Sequence, residues 1–415
     1  MAVSTTTATS GSGPPVTSSD ILSLTDQVND IGAGVLPMQE RPERPTPMTP
    51  SDPAGDYAQR REQMQLRLQS LLTKCENNGP FCSHPDAVVF VSIDPSDFDR
   101  VVRRQYPIPP VLMPLVRECI QKWRDQGKVV KAPPGCRFNS PLLVAAKHDK
   151  DGDVVGVRVC LDARQINKYM KEEDRFQIPH IPDVLERFAG CTLFGELDLS
   201  EAYFHFSVDL ESQQYLAFTL DGKEQLMFSA APYGLKHLPS LFERFMCNLF
   251  ADMPFVFPYI DNLPFASRSW EEHEMHLRMI LERLDSVNMK IKASATNFGH
   301  SSIRILGHLI DSRGVHVDPT KRQIILDWPR PVSGAELAAF IGLATFLSDH
   351  VRHFAELTTP LIPLKKQDRI EWDENTTRHF ELLKYAVGHA PFLKYPDLNR
   401  RFVLACDASN VGIGG

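Results

Sequence analysis

Two aspartates carry the chemistry this chain could perform. Asp198 closes the run Phe194-Gly195-Glu196-Leu197-Asp198-Leu199. Asp261 sits inside Phe257-Pro258-Tyr259-Ile260-Asp261-Asn262-Leu263-Pro264-Phe265-Ala266. Strand-forming residues on both sides of Asp261 predict a hairpin with the carboxylate at its tip, and the first run predicts a neighbouring strand ending at Asp198. Two carboxylates placed together in this way can share two divalent metals about 3.5 to 4 Å apart, which clamp the attacking and leaving oxygens of an in-line phosphoryl displacement. Each run alone reads more simply as a solvated turn aspartate. Only the pairing points to chemistry.

The residues between and around them narrow the reading. In order and spacing, Asp198-Leu-Ser-Glu-Ala-Tyr203-Phe204, then Ala230-Ala-Pro232-Tyr233-Gly234-Leu235-Lys236-His237-Leu238-Pro239-Ser-Leu-Phe242-Glu243, then Tyr259-Ile-Asp261-Asn262 resembles the palm of a reverse transcriptase. Upstream, Ser140-Pro141, Lys147 and Arg158-Val-Cys-Leu-Asp162-Ala-Arg164-Gln-Ile-Asn167 are similar to the fingers of gypsy-type LTR retrotransposon (Metaviridae) polymerases. Downstream, Leu306-Gly307-His308, Asp327-Trp328-Pro329-Arg330-Pro331 and Phe340-Ile341-Gly342-Leu343 resemble the primer grip and thumb of that family. Glu371-Trp372, Ala390-Pro391-Phe392-Leu393 and the stretch Cys406 to Gly414 resemble its connection and the first strand of its ribonuclease H. The resemblance runs over residues 100 to 415, and so many ordered motifs together are specific.

That resemblance implies an α+β right-hand polymerase: fingers and the start of the palm over 100–190, palm over 191–312, thumb over 313–367, connection over 368–400, and an incomplete ribonuclease H-like strand over 401–415. The implied activity is RNA-directed DNA polymerisation. Its partners would be an RNA or DNA template-primer and deoxynucleotide triphosphates, with a dimer or retrotransposon particle proteins as further candidates. Asp198, Asp261 and the Leu199 carbonyl would hold two Mg2+ ions, for which Mn2+ can substitute. Lys147 and Arg158 would close over the triphosphate, the Arg as a forked donor and the Lys as a mobile point charge. Tyr203 would pack under the incoming sugar and exclude a 2′-hydroxyl, Tyr233 and Gly234 would line the same pocket, and Gly307 would let the backbone approach the primer. Asp407 is the one ribonuclease H carboxylate reached, too few for a two-metal nuclease.

Departures from the family pattern matter as much. Asn262 stands where the family has Asp and brings no negative charge. Glu196 replaces a basic residue two positions before Asp198, on the same strand face. A cross-strand ion pair is the ordinary reading of Glu196; restoring the lost charge is the sharper one. Tyr233 replaces Phe, His237-Leu238 replaces Asn-Ala, and Pro264 is expected to interrupt the strand leaving the hairpin. If Asn262 marks lost chemistry, the alternative function is a non-catalytic nucleic-acid-binding or assembly protein from a decayed or repurposed element.

The elements that must position these residues follow from pattern. Residues 1–56, rich in Ser, Thr, Pro and Gly, are expected to be disordered. Over 57–99 a linker is expected to carry a short helix, Gln63 to Lys74, ended by Asn77-Asn78-Gly79-Pro80. A helix is expected near Met113 to Gln126, and a hairpin turning at Asp149-Lys-Asp151-Gly152 with Val157, Val159 and Leu161 on one face. Ser269-Trp-Glu-Glu272 and Ser333-Gly-Ala-Glu336 read as capping boxes opening helices. His273 and His276 read as packing or surface residues.

Composition sets the frame. The 415 residues carry a formal charge of −7, yet residues 1–100 hold 7 Lys+Arg against 13 Asp+Glu while residues 101–190 hold 16 against 11. The expected fingers are therefore the basic part, and a groove needs only local positive charge to hold phosphates. Eight scattered cysteines with no Cys-x-x-Cys pair point to free thiols in a reducing compartment. With no leader-like segment or apolar run of membrane length, a cytoplasmic location, including virus-like particles, is expected.

Overall fold

The computed structural model describes residues 56–148, 154–395 and 401, and the backbone of 407–409 and 412–414. The expected tail and the turn at Asp149–Gly152 lie outside the described residues. Two compact units form, Pro50–Gly314 with Lys394–Gly415, and Val315–Leu393.

The larger unit opens with helix α1, Asp56–Glu76, nine residues longer than the apolar pattern predicts. It is no linker. Met64, Leu68, Leu72 and Cys75 are buried in the same core as Leu277, Ile280 and Leu284. Burying three large side chains of this kind contributes roughly 5 to 9 kcal/mol as an upper bound. Helix α2, Met113–Asp125, buries Val116, Ile120 and Trp123. Strand β1, Val129–Lys131, then leads to the hairpin of β2, Leu142–His148, and β3, Val154–Leu161. Strand β4, Leu193–Asp198, is central in a three-stranded antiparallel sheet. Strands β5, Ala217–Leu220, and β6, Glu224–Phe228, form a second sheet with β1. Helix α3, Leu238–Leu249, lays Phe242, Phe245 and Met246 into the core. Strand β7, Asn262–Ser267, pairs with β4 and is followed by helix α4, Trp270–Ser286. Strand β8, Asn297–His300, completes the sheet on the other side of β4.

Pro264 does not interrupt β7. The Leu199 N–H donates to Asp261 O at 3.3 Å, which makes Asp198–Asn262 a non-hydrogen-bonded pair, and by alternation Glu196–Pro264 is another. The N–H that proline lacks would have faced away from β4, so the ladder loses nothing.

Beyond β8, strands β9, Ser302–Ile305, and β10, His308–Asp311, are joined by the two residues Leu306 and Gly307. Both have positive φ, 50° and 81°, as a type I′ connection requires, and Gly307 meets that requirement without a Cβ penalty. Asp407–Ser409 and Gly412–Gly414 pair antiparallel. The side chain of Asp407 lies outside the described residues.

The second unit contains helices α5, Pro319–Leu326, α6, Gly334–Thr345, and α7, Glu374–Gly388, around Ile325, Leu337, Phe340 and Phe380. The expected boundary at residue 367 falls inside this single core. Its caps, and that of α4, differ from the predicted boxes. Ser269 and Ser333 accept from the N–H groups of Glu272 and Glu336, but those glutamates reach back to the N–H groups of Arg268 and Val332, one residue earlier than a capping box. The complete box is at Asp373 and Thr376, which the pattern did not single out.

Candidate active site

The site is built where β4 ends. Asp198 is the last residue of β4, directly across from Asn262, the first of β7. Tyr259 and Asn262 exchange backbone hydrogen bonds, each 3.0 Å, closing a tight turn with Ile260 and Asp261 at its tip. Ile260 has φ 54°, a left-handed conformation that a β-branched residue adopts at a cost of about 1–2 kcal/mol. What holds it is Glu243 on α3. This fully buried carboxylate accepts the Ile260 N–H at 2.5 Å and faces the Cys247 thiol at 3.6 Å. Burial raises the Glu243 carboxyl above the usual range. Sequence reasoning quoted Glu243 only as part of a motif; an acid at a core position of an amphipathic helix was the available signal.

Asp198 is pinned from its other side. Lys292 N–H donates to Asp198 O at 2.9 Å and Ser200 N–H to Lys290 O at 2.9 Å, bonds that leave the Leu199 carbonyl unused by this bridge. Burial, and then Asp261, raise the Asp198 carboxyl, while Lys292 opposes the shift. Burial, with Asp198 and Asp261 nearby, pushes Glu196 up to about 7. The expected ion pair at Glu196 is absent: its cross-strand neighbours are Pro264 and Asn297, neither of them charged. Glu196, Asp198 and Asp261 thus lie within electrostatic reach of one another at this end of the sheet. No cluster of three or more His, Cys, Asp or Glu side chains in metal-binding arrangement occurs among the described residues. Asp198, Asp261 and the unused Leu199 carbonyl are oxygen donors of the kind divalent cations take, and would be the ligands of such an ion here.

The aromatic floor forms beside these carboxylates. Tyr203 packs on Tyr233, ring centroids 5.2 Å apart, and edge-on to Phe242 at 5.4 Å. Burial and then Asp261 push both phenols up to about 12, so both rings face the carboxylates as neutral hydroxyls. Gly234 has φ 113°, and a Cβ there would lie 2.9 Å from the Leu161 carbonyl. Asn167 locks this loop, donating to Gly234 O at 2.7 Å and accepting Lys236 N–H at 2.9 Å. His237 is buried just before α3 with neither ring nitrogen hydrogen-bonded.

On the β2–β3 hairpin, Lys147 pairs with Gly156 and Arg158 with Ala145, so both cations project from one face. Both are exposed. Arg158 lies within electrostatic reach of the Tyr233 phenol and Lys147 within reach of the Cys119 thiol on α2. Gly307 is a turn residue of the β9–β10 hairpin. His273 and His276 share Ser267 Oγ, at 3.0 and 2.8 Å, and are packing residues.

Comparisons with known proteins bear on this arrangement. Residues 147–310 match the family described as reverse transcriptase (RNA-dependent DNA polymerase), and residues 372–415 match the RNase H-like domain found in reverse transcriptase. The second match takes in most of the segment expected to be the connection. The chain is 27% identical over 319 residues to the retrovirus-related Pol polyprotein from transposon 297 of Drosophila melanogaster, covering 76% of this chain and 30% of that protein. It is 28% identical over 320 residues to the transposon Tf2-7 polyprotein of Schizosaccharomyces pombe, covering 76% and 23%. The chain therefore spans less than a third of these relatives. Among solved structures, foamy viral protease-reverse transcriptase in complex with an RNA/DNA hybrid superposes with TM-score 0.70 at 23% identity, covering 81% of this chain and 45% of that one. Its form in complex with double-stranded DNA gives 0.71 at 23% identity, covering 86% and 64%. The fold is that of the reverse-transcriptase polymerase.

Proposed function

We propose that this chain is the RNA-directed DNA polymerase part of a gypsy-type LTR retrotransposon polyprotein, transferring deoxynucleotides onto a primer 3′-hydroxyl. The observation that carries it is Asp198 held across from Asn262, with Asp261 at the tip of a strained turn that Glu243 anchors beside two tyrosines. Asp198, Asp261 and the Leu199 carbonyl would hold two Mg2+ ions, or Mn2+ in their place. Bound there, the ions supply charge neutralisation at the triphosphate and acidify the primer hydroxyl. Arg158 and Lys147 grip the triphosphate from the hairpin face they share. Tyr203 closes the space under the sugar so that a 2′-hydroxyl clashes. Gly234 keeps the loop behind Tyr233 close to β3, and Gly307 turns the hairpin that approaches the primer. The template-primer is an RNA or DNA strand with its primer, in keeping with the RNA/DNA hybrid and duplex DNA held by the foamy viral structures. Retrotransposon particles in the cytoplasm are the proposed setting.

Primer extension on poly(rA)·oligo(dT) with magnesium or manganese tests this reading. Incorporation of dTTP that Asp261→Asn abolishes supports it. Template binding without incorporation under either metal would instead favour a non-catalytic binder, the reading that Asn262 opposite Asp198 keeps open.

A further inference from the structure

Asn288 follows helix α4 in the left-handed region, with φ 57°. Its own N–H donates to Asp285 O and the N–H of Met289 to Leu284 O, both at 2.9 Å, so the helix ends in a Schellman turn. Glycine meets that backbone requirement best. What asparagine adds is its amide: Oδ1 accepts the Gly79 N–H at 2.9 Å and Nδ2 donates to Phe81 O at 2.7 Å. These partners lie 209 and 207 positions earlier in the chain.

The amide belongs to a longer seam. Asn78 donates to Met289 O at 2.9 Å, Ser83 N–H to Val287 O at 2.9 Å and Ile291 N–H to Cys75 O at 3.4 Å. The end of α1 and the strap after it, residues 75–83, are therefore fastened along residues 287–291. The same stretch of chain also holds the carboxylate: Ser200 N–H donates to Lys290 O and Lys292 N–H to Asp198 O. Cys82 N–H donates to His205 O at 2.8 Å, which ties the strap to the end of the loop that begins at Asp198. Met289 and Ile291 are fully buried, and a packed segment of this kind passes on a displacement instead of absorbing it.

We propose that Asn288 is a positioning residue for copying: its amide latches the N-terminal strap to residues 287–292 and thereby sets the position of the Asp198 and Leu199 backbone. The role of those two residues toward metal is that of the polymerase reading, on which this inference rests. The latch itself can be read without catalysis.

Two variants of the full chain test it. Asn288→Gly keeps the left-handed backbone and removes the amide. Gly79→Ala leaves Asn288 in place but puts a Cβ 2.7 Å from its Nδ2, which must swing away; it carries the test should Asn288→Gly fail to fold. Hydrogen exchange read by mass spectrometry should be faster by roughly tenfold in peptides spanning 198–201 and 289–293 in both variants, with β5 and β6 unchanged. In primer extension, kcat should fall roughly tenfold and the magnesium concentration for half-maximal rate should rise, while KM for template-primer stays as in the wild type. Faster exchange throughout β5 and β6 as well would make the amide a structural group only and overturn the proposal. Unchanged exchange at 198–201 would overturn it too, as would faster exchange there with turnover and magnesium requirement intact. A wild type that extends no primer, with exchange at 198–201 still faster in the variants, would reject the polymerase and keep the latch.

Discussion

Lys128 Nζ lies 2.6 Å from Glu201 Oε2, with the lysine side chain only 5% exposed and the glutamate 34%. Glu201 has φ 52° and sits between Asp198 and Tyr203, so the ion pair fastens a left-handed residue in the loop that joins that carboxylate to that ring. The ammonium also lies 5.4 Å from the Phe204 ring. Removing Glu201 leaves the buried Lys128 ammonium without its partner, which costs on the order of 3 kcal/mol. Glu201→Gln is therefore expected to lower the urea midpoint more than Lys128→Met does, since Lys122 remains 4.0 Å from Glu201. Both variants should lose kcat more than template affinity. Equal midpoints for the wild type and Glu201→Gln would reject the anchoring role.

Asp198→Asn or Asp261→Asn should each cut extension roughly a thousandfold, since charge stabilisation in phosphoryl transfer carries several kcal/mol. Anisotropy with template-primer should show binding intact. Either variant keeping a tenth of wild-type turnover would remove that residue from the site.

Tyr203 is wedged between Tyr233 and Phe242, so its ring position is fixed by packing. Tyr203→Ala should lower the ratio of kcat/KM for dCTP over rCTP while some dCTP incorporation remains. An unchanged ratio would make Tyr203 a packing residue only.

Glu196 lies within electrostatic reach of both aspartates, and Asn262 faces Asp198 directly. Asn262→Asp should raise turnover at low magnesium more in a Glu196→Gln background than in the wild type, where the added charge crowds an existing carboxylate. A double-mutant cycle should give coupling above about 0.5 kcal/mol. Additive effects would leave Glu196 as an ordinary strand residue.

His273 is fully buried, accepts the Gly299 N–H at 2.8 Å and is pushed down to about 3 by burial. Its folded pKa lies below the unfolded value near 6.5, so the unfolded chain binds a proton first as pH falls. Its contribution to stability is present above about pH 6.5 and is lost progressively toward pH 3. In His273→Gln, the melting temperature should fall less steeply over that window; an identical slope would show that other groups carry it.

The sequence by itself determined the parts that are local. Alternating apolar residues around Asp198 and Asp261 set the strands and the turn, and apolar spacing set α2, α4 and α6. Ordered motifs then identified the polymerase fold. Tertiary structure decided whatever depends on partners distant in the chain. Helix α1 read as a linker because its partner Leu277 lies some two hundred residues away. Glu196 read as one half of an ion pair until register placed Pro264 and Asn297 opposite it. Glu243 and Lys128 carried no readable role, because their partners Ile260 and Glu201 are remote in sequence and lie in strained backbone. Local pattern reports propensity and periodicity, but the cost of burying a charge is met only by a partner that folding brings to it.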